Sequence, residues 1–190
     1  MLETLHAKDI ACGFAEIVKH TLIADRSMFE FIEKHTDEMK KLNNEVISKL
    51  IYNSVEIKSG IVNKDEKEKG ERRRLNFGHT FGHAIEKTTG VSHGEAVSIG
   101  MNVACALSVE KGLLKQVDFN RIKSVLRRLE LPLDIKYNKN DVPDAMKKDK
   151  KRSGSDIHFV LLKGIGNAVI STISIEELTN KKKKKMVIKK

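Results

Sequence analysis

Three histidines fall within fifteen positions of this 190-residue chain: His79, His83 and His93. They belong to the stretch Arg72-Arg73-Arg74-Leu75-Asn76-Phe77-Gly78-His79-Thr80-Phe81-Gly82-His83-Ala84-Ile85-Glu86, followed shortly by His93-Gly94-Glu95. A spacing of four puts His79 and His83 on one helical face, one turn apart. Thr89-Gly90-Val91-Ser92 is a break, after which His93 can return from a loop to the same place. Two imidazoles on one face and a third close by suit a metal site or an acid–base site. The plain alternative is a set of solvated or core histidines.

Other groups could join them. Glu16 sits among Phe14, Ala15, Ile17 and Val18, where an unpaired carboxylate is costly to bury. It either makes a local ion pair with Lys19 or His20, worth a few tenths of a kcal/mol, or ligates a metal. The Arg72–Arg74 run is either a solvated face or a phosphate clamp, because arginine grips phosphate bidentately. Lys58 reads first as a lysine snorkelling beside an apolar stripe. With Lys19, Arg72 and Lys150 it could instead hold an anionic substrate carrying phosphate and carboxylate. One carboxylate and two imidazoles make a three-ligand set for a catalytic zinc with a position left for substrate. Spacing leaves open which two histidines would bind, and the third is available for proton transfer.

These groups need elements to hold them. Apolar residues at three and four from Lys8 to Ala24 predict a helix. Ser27 is the expected N-cap of a short helix, Met28 to Lys34, with Glu30 in capping-box position. A long helix is expected from Thr36, its stripe running through Met39, Leu42, Val46, Ile47, Leu50, Ile51, Val55 and Ile61. The polar segment 63–70 is a loop. After the histidine helix, Gly94 to Leu113 is apolar and small-residue-rich, a buried central helix closed by Gly112. Val117 to Leu129 is amphipathic, and Asp141 opens a short helix through Met146. Ile157–Leu162 and Ala168–Ile173 flank Gly164-Ile165-Gly166 as a hairpin, and a last helical turn follows from Ser174. The expected fold is mainly α, a multi-helix domain with one small β-hairpin near the C-terminus.

Composition sets limits. No run of eighteen apolar residues exists, so no membrane span is expected, and Met1–His6 is no signal peptide. Cys12 and Cys105 read as buried thiols in a reducing, cytoplasmic setting. The net charge of +10 owes seven charges to Lys181–Lys185, Lys189 and Lys190. That tail reads as solvated, and the body has no zinc-finger or RNA-binding signature, so no nucleic-acid partner is expected.

The motifs Gly13-Phe14-Ala15-Glu16-Ile17-Val18-Lys19-His20, Asp65–Gly70, Leu75–Glu86, His93–Val97 and Asp149-Lys150-Lys151 together resemble the 3-dehydroquinate synthase family, the second enzyme of the shikimate pathway of aromatic amino acid biosynthesis. The resemblance covers nearly the whole chain but only the family's C-terminal, helical half. It implies a lyase reaction in which 3-deoxy-D-arabino-heptulosonate 7-phosphate loses phosphate and closes to 3-dehydroquinate, with zinc (or cobalt) holding substrate hydroxyls and NAD transiently reduced. By motif, it implies Glu16, His79 and His93 as metal ligands and His83 and Glu68 as proton-transfer residues. Lys19, Lys58, Arg72, Asn76 and Lys150 would bind substrate, and Thr4 would touch NAD. It also implies a homodimer in the intact family member. Residues 1–179 would form one zinc- and substrate-binding domain, with 180–190 a disordered tail. No strand, Gly-rich turn and helix unit for a nucleotide is found, so the N-terminal nucleotide-binding half is read as absent and the chain as inactive alone. Cys12, where many relatives carry a polar residue, and the lysine tail depart from the pattern. Two alternatives stay open: another sugar phosphate cyclase, and a non-catalytic zinc-binding helical module.

Overall fold

Helix α6 (His93–Glu110) is the element on which the others pack. Ala96, Val97, Ile99, Met101, Ala104, Cys105 and Leu107 are all buried along it, the pattern of a helix covered on most sides. The computed structural model describes residues 2–68, 70–137, 141–149 and 156–174. Around α6 lie α1 (Ala7–Ala24), α5 (His79–Thr89), α7 (Gln116–Arg128) and strand β1 (Asp156–Gly164). Glycines set how closely they approach. An ideal Cβ on Gly100 would stand 1.8 Å from the Gly78 carbonyl oxygen, and one on Gly82 would stand 2.8 Å from that of Ala96. On the other side, a Cβ on Gly94 would fall 2.4 Å from Cys12 Cα. Helices α1, α5 and α6 therefore meet backbone to backbone.

The connection after α1 differs from expectation. Asp25, not Ser27, caps α2 (Arg26–Lys34), its Oδ1 accepting from the Met28 amide at 2.9 Å. Asp25 has the extended backbone that an N-cap needs. Ser27 lies inside the first turn and donates to the same oxygen at 2.7 Å. The Oδ2 of Asp25 accepts from Asn53 at 3.0 Å, tying this corner to the next long helix.

The helix expected from Thr36 is two helices, α3 (Thr36–Lys40) and α4 (Asn44–Lys64). Leu42 adopts a φ of 55° between them, and Asn43 caps α4 by accepting from Val46 N–H at 3.1 Å. Met39, Val46, Ile47 and Leu50 are buried on both sides of the break, so the apolar rhythm runs through it undisturbed. Ile51 and Val55 leave the core: they are 42% and 60% exposed, beside Tyr52. The polar loop begins at Asp65 rather than Asn63 because α4 runs on to Lys64.

Helix α8 (Asp141–Asp149) and the antiparallel pair β1 and β2 (Asn167–Ser174) complete the described chain. Ile157 faces Ile173 and Leu161 faces Val169 in the register. Gly166, at a φ of 79°, donates its N–H to the Leu22 carbonyl at 2.9 Å, which fixes the hairpin turn against the end of α1. Buried Ser108 of α6 donates to Ala104 O at 2.7 Å and accepts from Leu162 N–H at 3.0 Å. Ser174 ends β2 rather than opening a helical turn. The rest of that turn and the lysine-rich tail lie outside the described residues. The mainly helical fold with one hairpin is the expected one. Both thiols are free; Cys105 is buried, whereas Cys12 is only half-buried. No helix among the described residues is long and apolar enough to cross a membrane.

Candidate active site

Three helices each bring one residue to a single point. Glu16 comes from the middle of α1, and His79 and His93 are the first residues of α5 and α6. His93 thus stands on a helix start and not on a loop. Gly78, at a φ of 81°, turns the chain so that His79 can begin α5. Ahead of α6, the Ser92 N–H and hydroxyl both donate to Glu95 Oε2, at 2.9 and 2.7 Å, which fixes the helix end. His79 Nε2 lies 3.6 Å and His93 Nε2 4.0 Å from Glu16 Oε1. One ligand atom from each residue falls within 4.8 Å of the other two. His83, Glu86 and His93 form a second such group.

The two oxygens of Glu16 have separate surroundings. Oε2 accepts from Lys19 Nζ at 2.7 Å, the local pair that its helical spacing suggests. Oε1 is buried and has no hydrogen-bond partner. Ligand atoms around a tetrahedral zinc stand about 3.4 Å apart, given bond lengths of about 2.0–2.1 Å. The separations here need only a small contraction to reach that value. Both histidines turn the same edge inward. His79 Nδ1 is 3.2 Å from Phe77 O, and His93 Nδ1 is 3.2 Å from Glu86 Oε2. Those oxygens can only accept, so each Nδ1 holds the hydrogen and each Nε2 keeps a lone pair facing Glu16. An orphaned carboxylate oxygen between two such lone pairs fits a divalent cation.

Burial governs the charges. It pushes the His79 imidazole down to about 4, helped by the Lys19 ammonium, and pushes His20 down to about 4 in the same way. Burial also lowers Lys19. For Glu16, burial acts to raise the carboxyl, but the Lys19 charge and hydrogen bond outweigh it and hold it below its usual value. His20 is 3% exposed, with Nδ1 2.6 Å from Ser54 Oγ of α4. An unfolded histidine takes a proton near pH ~6.5, whereas the folded one refuses it until about 4. Between those values the unfolded chain binds more protons, so stability present above pH ~6.5 is lost as the pH falls. His20 alone should remove about 3 kcal/mol from the metal-free chain by pH ~4. Urea unfolding at several pH values measures this. His20→Asn should flatten the profile, and an equally steep profile in that variant would refute the assignment.

A cleft of about 430 Å³ opens beside the Glu16 group. Its near wall includes Glu68, Asn76, His79 and His83, and its far wall Met146 of α8 and His158 and Val160 of β1. The His83 ring meets His79 edge-on, centroids 5.2 Å apart. Glu68, at a φ of 53°, accepts from Asn76 Nδ2 at 2.7 Å. Arg72 is turned to the Glu66 carbonyl at 2.7 Å, and Arg73 lines the cleft. Residues 71–76 form a 3₁₀ segment, in which three residues complete a turn. Consecutive arginines therefore fan out around it; Arg74 pairs with Glu71 at 3.2 Å. Lys58 is exposed on α4, and its charge acts on Lys19 and His20. Thr4 ends a short 3₁₀ turn, Leu2–Thr4, ahead of α1. Lys150 lies outside the described residues. Sequence reasoning named the arginine run but singled out Arg72 rather than Arg73, and it missed Thr80, Met146 and His158. His158 carried one signal: it is the single polar residue within the apolar run 157–162.

Comparison with known proteins places the chain among relatives. A family model described as 3-dehydroquinate synthase C-terminal matches residues 13–152. The 3-dehydroquinate synthase of Thermoanaerobacter pseudethanolicus is 44% identical over 182 residues, covering 94% of this chain and 51% of the relative. That of Prochlorococcus marinus (strain MIT 9312) is 42% identical over 171 residues, covering 87% and 47%. The chain spans about half the length of the curated relatives it matches. A 2-epi-5-epi-valiolone synthase structure from Streptomyces hygroscopicus subsp. jinggangensis, with NAD+ and Zn2+ bound, superposes with a TM-score of 0.82 at 27% identity, covering 94% of this chain and 51% of that one. A 2-deoxy-scyllo-inosose synthase shares the fold, with a TM-score of 0.81 at 22% identity, covering 94% and 53%.

Proposed function

The chain belongs to the 3-dehydroquinate synthase C-terminal family, and from that membership we propose that it holds the metal and the substrate for cyclisation of 3-deoxy-D-arabino-heptulosonate 7-phosphate to 3-dehydroquinate and phosphate. The observation that carries this reading is Glu16 Oε1, buried without a partner and faced by the Nε2 edges of His79 and His93, beside a cleft that reaches His83. The zinc of the valiolone synthase structure supports zinc as the ion, which when bound supplies Lewis acidity to a substrate hydroxyl oxygen. Everything else falls to the chain's own side chains. Lys19 grips one oxygen of Glu16, which keeps that carboxylate ionised and aims its other oxygen at the two histidines. His83 is left out of the ligand set and moves protons at the cleft edge. Asn76 and Glu68 hold each other in position to bind substrate hydroxyls and relay a proton. Arg73 adds a cation at the cleft to those assigned to Lys58, Arg72 and Lys150. These groups mostly orient a reactive substrate, so many clamps serve better than one strong base.

NAD is a different matter. The described residues pair their strands only as an antiparallel hairpin and include no strand, Gly-rich turn and helix unit that seats a dinucleotide. They do not fit as its holder, and Thr4 is their single proposed contact with it. Two free thiols support a reducing compartment, the cytoplasm.

The test joins this chain to the first half of the Thermoanaerobacter relative, with zinc and NAD present. The fusion should convert the heptulosonate phosphate to dehydroquinate with release of phosphate. The chain by itself should form none. A folded, zinc-loaded fusion that ignores this substrate and cyclises a neutral sugar phosphate would make the chain part of another sugar phosphate cyclase.

A further inference from the structure

We propose that Glu86 is a positioning residue that sets the tautomer and ring angle of His93, an inference that rests on the metal reading above. Glu86 lies on α5, a helix away from His93 at the start of α6. Its Oε2 stands 3.2 Å from His93 Nδ1. An ionised carboxylate offers no proton, so the hydrogen sits on Nδ1 and the lone pair on Nε2 is the one aimed at Glu16, 4.0 Å away. His79 reaches the same state through a different partner, the main-chain carbonyl of Phe77. That carbonyl belongs to a residue with no solvent exposure and cannot swing. The His79 side chain is itself 14% exposed against 38% for His93. His79 is therefore held by backbone and burial, whereas His93, more open to water, relies on one side chain.

The two anchors also differ electronically. A carboxylate on the far nitrogen strengthens an imidazole as a donor more than a neutral carbonyl does, and removing such an outer partner weakens metal binding roughly 10–100-fold. The second candidate group, His83, Glu86 and His93, makes a competing statement, in which Glu86 is itself a ligand. An ion held there through Nδ1 of His93 would have to displace the hydrogen that the Glu86 carboxylate accepts at 3.2 Å. The observed pairing thus favours one ion at Glu16, His79 and His93, with Glu86 behind His93.

The experiment uses the full chain as wild type, Glu86→Gln and Glu86→Ala, with zinc and cobalt(II) as the probes. All three should bind one ion per chain at saturation. Zinc affinity, from competition with a chelator, should fall roughly 10–100-fold in Glu86→Ala. The loss in Glu86→Gln should be smaller, because an amide oxygen still accepts the N–H without the charge. The visible bands of the cobalt forms should shift in both variants while the melting temperature of the metal-free forms stays close to wild type. Equal affinities and identical cobalt spectra would overturn the proposal. So would two ions in the wild type and one in Glu86→Ala, which makes Glu86 a ligand. Should the alanine variant fail to fold, the glutamine variant alone carries the comparison. A wild-type chain that binds no metal would overturn the metal reading itself, a failure distinct from a tight wild-type site that is indifferent to Glu86.

Discussion

Gly100→Ala should destabilise the chain by about 3 kcal/mol or more, the upper end of what an added methyl does in a packed interior. The new carbon would lie 1.8 Å from the Gly78 carbonyl oxygen and 3.0 Å from the Gly82 nitrogen. Both are main-chain atoms, so no rotamer change relieves the contact. The Gly78 turn, at a φ of 81°, also packs on Val97 and Met101 of the same helix, so it retreats only by giving up those contacts as well. Relief requires α5 to part from α6 by roughly 1 Å or more. Against a total stability of about 5–15 kcal/mol, this is a large share. Gly60→Ala is the matched control. Nothing lies within 4 Å of its Cβ position, and it is inside α4. That change should stabilise by about 0.5–1 kcal/mol through helix propensity. Urea midpoints of the two variants test the contrast; two equal midpoints would contradict the close seam.

His79→Ala should remove zinc from the chain at concentrations where the wild type holds one equivalent. The residue supplies one of three proposed ligand atoms, and its neighbours cannot replace it. His83 meets it edge-on from the cleft side, while Glu16 Oε1 is held on the other side by the burial of α1. The loss should exceed the roughly 10–100-fold expected when only an outer partner is removed. Metal analysis of the purified protein, read beside far-UV circular dichroism to establish folding, decides the matter. Equal zinc in a folded variant would sink the ligand assignment. His83→Ala should keep its zinc, since its proposed role is proton transfer.

Much of this was legible in the sequence because it depends on spacing. Helix α1, the central helix, α7 and the hairpin follow from apolar periodicity, and a spacing of four puts His79 and His83 on one face. What spacing could not reveal depends on dihedrals and on the third dimension. The rhythm of Met39, Leu42 and Val46 suits one helix, yet a positive φ at Leu42 breaks it without moving an apolar residue out of step. Asp25 and Ser27 are both good caps, and only the extended backbone of Asp25 decides between them. In the arginine run, a change from α to 3₁₀ winding alters which guanidinium meets the cleft. Glu86 follows His79 and His83 at helical spacing, yet its partner His93 belongs to the next helix, which spacing alone does not place.

The glycine seam also bears on how this chain can change over generations. Positions 78, 82, 94 and 100 each abut main-chain atoms of a neighbouring helix, so drift there is closed to any larger residue. The part of the near wall that His79 and His83 form on α5 is carried on that seam. The far wall, Met146, His158 and Val160, is made of ordinary side chains on α8 and β1 that can be exchanged one at a time. Divergence toward a new substrate has one wall on which to work.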